Sequence, residues 1–182
     1  MKKLAGRLKT GLKPGRYKHT QGVVHTAGEL ARRFRVSVRR CQLAAWLHDC
    51  GKALGPVEAK RLLKRSGADR GERAAPGLWH AAVGAWMAEH EFGIKDAEVL
   101  RAIRIHSTGA PGMTRLQKII FVADYVEPGR PPWPELKRLR PLALEDLDAA
   151  FFEVLRHKII ELLKRGRQVH PRSLAAYHEA IQ

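Results

Sequence analysis

A chain of 182 residues is long enough to bury one hydrophobic core and short for two. Its balance of 45% hydrophobic and 29% charged residues is that of a globular protein and excludes a disordered chain. A formal charge of +16, from 34 Lys and Arg against 18 Asp and Glu, favours anionic partners such as polyphosphates, nucleic acids or acidic membranes without choosing among them.

The basic residues are spread out, at Lys2, Lys3, Arg7 and Lys9, at Lys60, Arg61, Lys64 and Arg65, and at Lys164, Arg165 and Arg167, so a solvated basic surface accounts for most of them. Cys41 and Cys50 fall in one helical segment, as small core residues of a protein in a reducing compartment. No window approaches the roughly 20 apolar residues that cross a bilayer, and a cytoplasmic protein is expected.

Apolar spacing near 3.6 predicts an all-α chain. The first helices run over Thr20–Phe34 and Val38–His48, followed by glycine and proline breaks and a short helix near Val57–Lys64. Ser66–Gly77 reads as a surface loop that could be mobile. Helices follow over Leu78–Glu91, Asp96–His106 and Thr114–Val126. The Ile119–Val122 run of the last has strand propensity, but its length and flanking breaks favour helix. A proline-rich turn, Pro128 to Pro134, then leads to one long helix over Leu144–Arg165.

Several polar residues lie on the apolar faces of these helices, where burial without a partner is costly. His106 continues the stripe Val99, Ala102, Ile103 at helical spacing, and His48 stands four residues after Ala44. His80 precedes Val83 by three, His19 precedes Val23 by four, and Asp124 follows Ile120 by four. One such residue is most often a satisfied core group. Four histidines with Asp49 and Asp124 would each need a separate partner, whereas one shared metal centre serves them all. Imidazole with carboxylate and no thiolate suits Fe, Mn, Zn, Co or Ni. Six groups suffice for two ions bridged by Asp49, and an ion pair about 3.5–4 Å apart generates hydroxide at neutral pH and assists phosphoryl transfer.

The order His19, His48-Asp49, His80, His106, Asp124 resembles that of the HD-domain superfamily of metal-dependent phosphohydrolases. Within it, the stretches Arg16–Val23, Leu47–Lys52, His80–Ala85, His106–Gly109, Met113 through Arg130, and His170–Tyr177 are similar to the YqeK family. The resemblance covers about residues 12–178, which divides the chain into a basic N-terminal extension, 1–11, and an HD-domain hydrolase domain, 12–182. It implies a helical bundle that hydrolyses diadenosine tetraphosphate symmetrically into two ADP at a binuclear iron centre. It further implies that His19, His48, Asp49 and Asp124 hold one ion, and that His80 and His106 hold the second with Asp49 shared. Ser107, Gln117 and His178 depart from the family pattern without touching its ligand set, which bears on substrate preference rather than on the reaction.

Lys52, four residues after His48, and Arg130, after the Asp124 helix, are candidate phosphate-binding cations, and Thr108 is a candidate hydrogen-bond donor. His25, His90, His157, His170 and His178 read as surface or structural. Rival readings are an HD phosphohydrolase for a nucleoside monophosphate or cyclic nucleotide, and a basic RNA- or ribosome-binding protein, although no nucleic-acid motif is present. The oligomeric state, including a homodimer, stays open.

Overall fold

The computed structural model describes residues 1–182 and contains helices and turns with no strand. Helix α1, Lys2–Gly11, buries Leu8, and the following Leu12 joins the same core, so the basic N-terminal segment is packed onto the bundle. Helix α2 spans Pro14–Arg33 and begins earlier than apolar spacing suggests. Pro14 tolerates the first helical position because the amide it lacks would have no partner there. His19 therefore lies well inside α2, one residue before the buried stripe of Thr20, Val23, Ala27, Leu30 and Ala31.

Ser37 caps α3, Val38–Leu47, by accepting from the Arg40 amide, and α3 packs against α2. The chain leaves α3 at His48 and Asp49 and turns at once through a 3-10 segment, Cys50–Ala53. Helix α4, Pro56–Leu63, follows. The segment expected to be a mobile loop instead contains α5, Arg70–Ala74, and a 3-10 turn, Pro76–Leu78. Asp69 and Glu72 form a reciprocal capping box, and the buried Glu72 carboxylate takes the Arg104 guanidinium at 2.7 Å. Arg104 also donates to the carbonyls of Ser66 and Gly67, and Arg172 donates to Asp69 at 2.6 Å. Long-range partners of this kind leave little signal in local spacing.

Helices α6, Trp79–His90, α7, Ala97–Ile105, and α8, Arg115–Val126, complete the inner layer, with Asp96 capping α7 and a Thr114/Gln117 box opening α8. Ile119, Ile120, Phe121 and Val122 have no exposed surface, because α8 is covered by α2, α3, α7 and α10. Their β propensity yields to burial on every side of one helix.

A helix that apolar spacing does not predict, α9, Pro134–Glu145, precedes the predicted Leu144–Arg165 helix, which is α10, Leu147–Lys164, begun three residues later. The two are separated by extended Asp146, whose carboxylate accepts from the amides of Asp148 and Ala149. Pro134 opens α9 as Pro14 opens α2, and Leu136, Leu139 and Ala143 form its buried stripe. Helix α11, Pro171–Ala180, closes the chain, capped by His170.

One contact fixes where the turn after α3 sits. A methyl group on Gly51 would lie 2.3 Å from the His80 carbonyl oxygen and 3.0 Å from the Gly84 amide nitrogen, so the turn approaches the α6 backbone more closely than any side chain permits. Gly51→Ala is expected to destabilise the fold by about 2 kcal/mol through overpacking, a fall in Tm of roughly 4–8 °C for a chain of this size. An unchanged Tm by calorimetry would contradict this account of the turn.

Candidate metal centre

His48 and His106 follow the last residues of α3 and α7 and use one device. The Nδ1 of His48 lies 2.7 Å from the Ala45 carbonyl oxygen, and that of His106 lies 2.7 Å from the Ile103 carbonyl oxygen. A carbonyl only accepts, so both Nδ1 atoms carry a proton, and in the neutral ring that leaves Nε2 with a bare lone pair. These carbonyls belong to the final helical turn, which lacks onward amides to satisfy them. The two rings meet edge to face, with centroids 5.0 Å apart.

His80, in the first turn of α6, brings its Nε2 to 3.3 Å from that of His106 and 3.5 Å from Asp49 Oδ1. His19 comes from α2 and Asp124 from the last turn of α8, with His19 Nε2 at 3.1 Å from Asp124 Oδ1. His48 Nε2 is 3.6 Å from Asp49 Oδ2 and 3.9 Å from Asp124 Oδ1, and His106 Nε2 is 3.6 Å from Asp49 Oδ1. The five residues predicted from helical phase, with Asp49 beside His48, thus face one another. His48, Asp49 and His106 are at most 2% exposed.

The donor set fits a metal. His48 Nε2 and Asp49 Oδ1 are buried with no hydrogen-bond partner, a costly state for a lone pair and a carboxylate oxygen unless a cation lies between them. Two overlapping triads, His19-His48-Asp124 and His48-Asp49-His106, each place their donor atoms within 4.8 Å of one another. No thiolate competes, since burial pushes the Cys50 thiol up to about 12.

Protonation states agree with this geometry. Burial lowers His48 to about 4 and His80 to about 3, the latter aided by His106, so both are neutral at pH 7 and free to ligate. Burial alone would raise Asp49, but His48 and His106, wherever their imidazoles carry a second proton, and the Lys52 ammonium hold it well below the usual carboxylate range. Asp124 is held low against burial by its His19 hydrogen bond and by Lys158. His19 moves the other way: burial lowers it, yet hydrogen bonds to Asp124 and Glu127 raise it overall.

The sequence-predicted cations lie beside the cluster. Lys52 Nζ is 2.8 Å from Asp49 Oδ2, and Arg130 donates to Asp124 Oδ1 at 3.0 Å and to the Asp124 carbonyl at 2.8 Å. Thr108 does not serve as the predicted donor, because its buried hydroxyl donates to the Gly109 carbonyl at 2.9 Å.

Three neighbours were not among the site residues expected from the sequence, although Ser107 stands out there as a departure from the family pattern. Glu127 accepts from His19 Nδ1 at 3.0 Å and from the Gly129 amide at 2.6 Å. Ser107 Oγ stands 3.2 Å from His80 Nε2 and 3.1 Å from His106 Nε2. Lys158 donates to the His106 carbonyl at 3.2 Å and lies 3.8 Å from Asp124 Oδ2, over the Phe121 ring. Lys158 shares the face of Phe151 and Leu155, so a lysine in phase with an apolar stripe was its available signal. Glu127 follows the end of α8, where helical phase no longer applies.

A family model described as the HD domain matches residues 16–129, a span that holds all six clustered residues. The chain belongs to the HD-domain family. This HD-domain chain is 38% identical over 177 residues to a symmetrical bis(5'-nucleosyl)-tetraphosphatase of Bacillus subtilis, covering 94% of this chain and 92% of that one. A protein of the same description from Staphylococcus aureus is 34% identical, over 87% of this chain and 83% of its own. Among solved structures, a predicted HD superfamily hydrolase of Clostridium acetobutylicum, described as involved in NAD metabolism, superposes with a TM-score of 0.93 at 32% identity, over 99% of this chain and 96% of that one.

The lowered values of His48 and His80 carry a pH signature in metal-stripped protein. Unfolded histidines titrate near 6.5 and the folded ones near 4 and 3, so below about pH 6.5 the unfolded state binds more protons. Stability is full above that pH and falls by up to about 1.4 kcal/mol per pH unit for each histidine as the solution is acidified. His19, raised, acts oppositely and only above about 6.5, while the lowered aspartates act only at or below the ordinary carboxylate range. Urea melts of chelator-treated protein at pH 7, 6 and 5 should show this loss, and equal midpoints would contradict the buried neutral histidines.

Proposed function

We propose that the protein hydrolyses diadenosine tetraphosphate symmetrically, releasing two ADP, with a pair of metal ions held by His19, His48, Asp49, His80, His106 and Asp124. The observation that carries the reading is the buried, unpartnered pair His48 Nε2 and Asp49 Oδ1 amid inward imidazoles and carboxylates. The reaction follows from the relatives at 34–38% identity, whose descriptions name it. We assign His19, His48, Asp49 and Asp124 to one ion and His80, His106 and the shared Asp49 to the other. The two faces of Asp49 support this, with Oδ1 toward His80 and His106 and Oδ2 toward His48. Imidazole and carboxylate donors suit iron, which we place first, and also Mn, Co, Ni or Zn. When bound, the ions supply Lewis-acid polarisation of a phosphate and a water made nucleophilic at neutral pH.

The chain's own groups do the rest. Lys52 and Arg130, each ion-paired at the cluster yet about a third exposed, receive phosphate oxygens and orient the polyphosphate across it. Lys158 adds a third cation on the Asp124 side. The net charge of +16 draws the polyanionic substrate from solution. We also place the protein in the cytoplasm, because both cysteines are free thiols and no helix is long and apolar enough to cross a membrane.

Elemental analysis should find two metals per chain, and incubation with diadenosine tetraphosphate should yield ADP as the only nucleotide. Asp49→Asn should lower both metal content and turnover, the latter by at least about 100-fold. Formation of ATP with AMP would overturn the symmetrical reaction. Phosphate release from a nucleoside monophosphate, with diadenosine tetraphosphate untouched, would favour the rival HD chemistry.

Glu127 orients His19 through Nδ1, which leaves Nε2 for the ion. Glu127→Ala is expected to weaken metal affinity about 10–100-fold, the usual cost of removing such a partner. A competition titration against a chromogenic chelator measures it, and wild-type affinity would refute the role.

A further inference from the structure

The sequence scatters its cations, but the fold gathers one group of them beside tryptophan. Helix α4 packs on α6, and Trp79 and Trp86, seven residues apart, lie on one face of α6. Lys60, Lys64 and Arg73 line a cleft of about 300 Å³ with Trp79. Arg65, the next residue after Lys64, lines an adjoining cleft of about 360 Å³ with Trp86 and His90. Neither cleft includes a residue of the metal centre. The nearby acids are taken, Glu58 by Arg61, Asp69 by Arg172, and Glu72 by Arg104 and Arg172. Lys60, Lys64, Arg65 and Arg73 are left exposed and without a counter-ion.

The rings among these cations are held in place. The Trp79 indole Nε1 donates to the Arg73 carbonyl at 3.1 Å. The Arg65 guanidinium lies 5.0 Å from the Trp86 ring centroid, and the His90 ring stacks on Trp86 at 4.4 Å, 10° from parallel. His90 Nδ1 donates to the Trp86 carbonyl at 2.9 Å, so the imidazole stays on the indole and carries the stack out to solvent, with its side chain 48% exposed. Free cations set among oriented flat rings match a chain of phosphates that carries unpaired bases. A duplex keeps its bases paired and leaves such rings unused. A bilayer calls for projecting apolar groups, whereas both tryptophans are half-buried. Glu89, the one carboxylate lining either cleft, is placed to accept from a 2'-hydroxyl, the group by which RNA differs from DNA.

We propose that the face formed by α4 and α6 is a binding surface for single-stranded RNA, separate from the metal centre. Phosphates lie along Lys60, Lys64, Arg65 and Arg73, and bases stack at Trp79 and on His90. A rise of 1.5 Å per residue sets Trp79 and His90 about 16 Å apart along α6, room for several nucleotides. Charge and stacking carry no sequence code, so the surface takes RNA with little sequence preference. His80 leaves α6 about 100° around the helix from Trp79, so RNA on this face leaves the metal centre open. The inference stands apart from the hydrolytic reading.

The test is fluorescence anisotropy of a labelled oligouridylate of about 12 nucleotides, titrated with metal-loaded enzyme over a range of salt concentrations. Four phosphate contacts give log K a slope of about −3 against log salt, at about −0.7 per contact for a single strand. Lys64→Ala/Arg65→Ala, at two exposed positions, should flatten that slope by about 1.4 and leave hydrolysis of diadenosine tetraphosphate unchanged. His90→Ala should weaken binding about fivefold or more through lost stacking, with the slope kept. Independently of any variant's folding, ultraviolet cross-linking of the RNA to wild-type enzyme should map to α4 and to Trp79–His90, and excess ADP should leave the complex intact. No binding, a slope the double variant does not change, cross-links elsewhere or displacement by ADP overturns the surface. Tighter binding of duplex RNA, of single-stranded DNA or of phosphatidylserine vesicles overturns it equally. None of these outcomes touches the reading of the metal centre, and a wild-type enzyme that binds the RNA without cleaving diadenosine tetraphosphate refutes only the activity.

Discussion

The structure turns on two imidazole rings pinned to helix ends. His48 and His106 each give the Nδ1 proton to a carbonyl three residues back, which leaves two Nε2 lone pairs pointing into a region almost closed to water. Lone pairs placed there repel one another and the adjacent carboxylate oxygens unless positive charge lies among them. That constraint explains why helices α2, α3, α6, α7 and α8 converge at one point. Each delivers one ligand-type residue, or in the case of α3 the adjacent His48 and Asp49 at its end, and a single cationic centre would serve all of them.

Around this centre the charges are arranged in opposition. Asp49 faces His80 and His106 through one oxygen and Lys52 through the other. Asp124 takes His19 and Arg130 on Oδ1, with Lys158 near Oδ2. The cations are more exposed than the carboxylates they pair with, so the positive groups stand between the buried acids and solvent. A polyanion arriving from solution meets cations first. The acids beneath it stay ionised, because burial, which would neutralise them, is outweighed by the groups they contact.

Most of this was legible in the sequence because helical phase carries through an uninterrupted helix. His19, His80 and Asp124 lie inside α2, α6 and α8, and His48 and His106 fall one residue past α3 and α7, where the apolar stripe still predicts direction. Phase fails where geometry is set by capping or by distant partners. Asp146 splits α9 from α10 because its carboxylate binds two amides, although the apolar pattern runs on across it. Pro134 suggests a turn but serves as a helix start. Thr108 lies two residues after His106 and looks available, yet its hydroxyl is taken by the next carbonyl. Glu72 and Arg104 lie 32 positions apart, beyond the reach of any local pattern.

The orientation of His19 shows how far that influence extends beyond the residues in contact with the centre. Its Nδ1 is held by Glu127, whose other oxygen is fixed by the Gly129 amide, so the carboxylate cannot swing away without losing two hydrogen bonds. Glu127 reaches α2 only because position 22 has no side chain: a methyl group on Gly22 would come within 2.2 Å of Glu127 Oε2. The closest contact is the end of a carboxylate rather than backbone, so a larger residue at 22 would act first by displacing Glu127. Release of the His19 ring would follow, with a smaller effect on the packing of α2 against α8. Gly22 and Gly51 thus govern different things. At Gly51 the obstacle is the α6 backbone and the fold resists; at Gly22 it is a side chain, and the tuning of one imidazole is lost first.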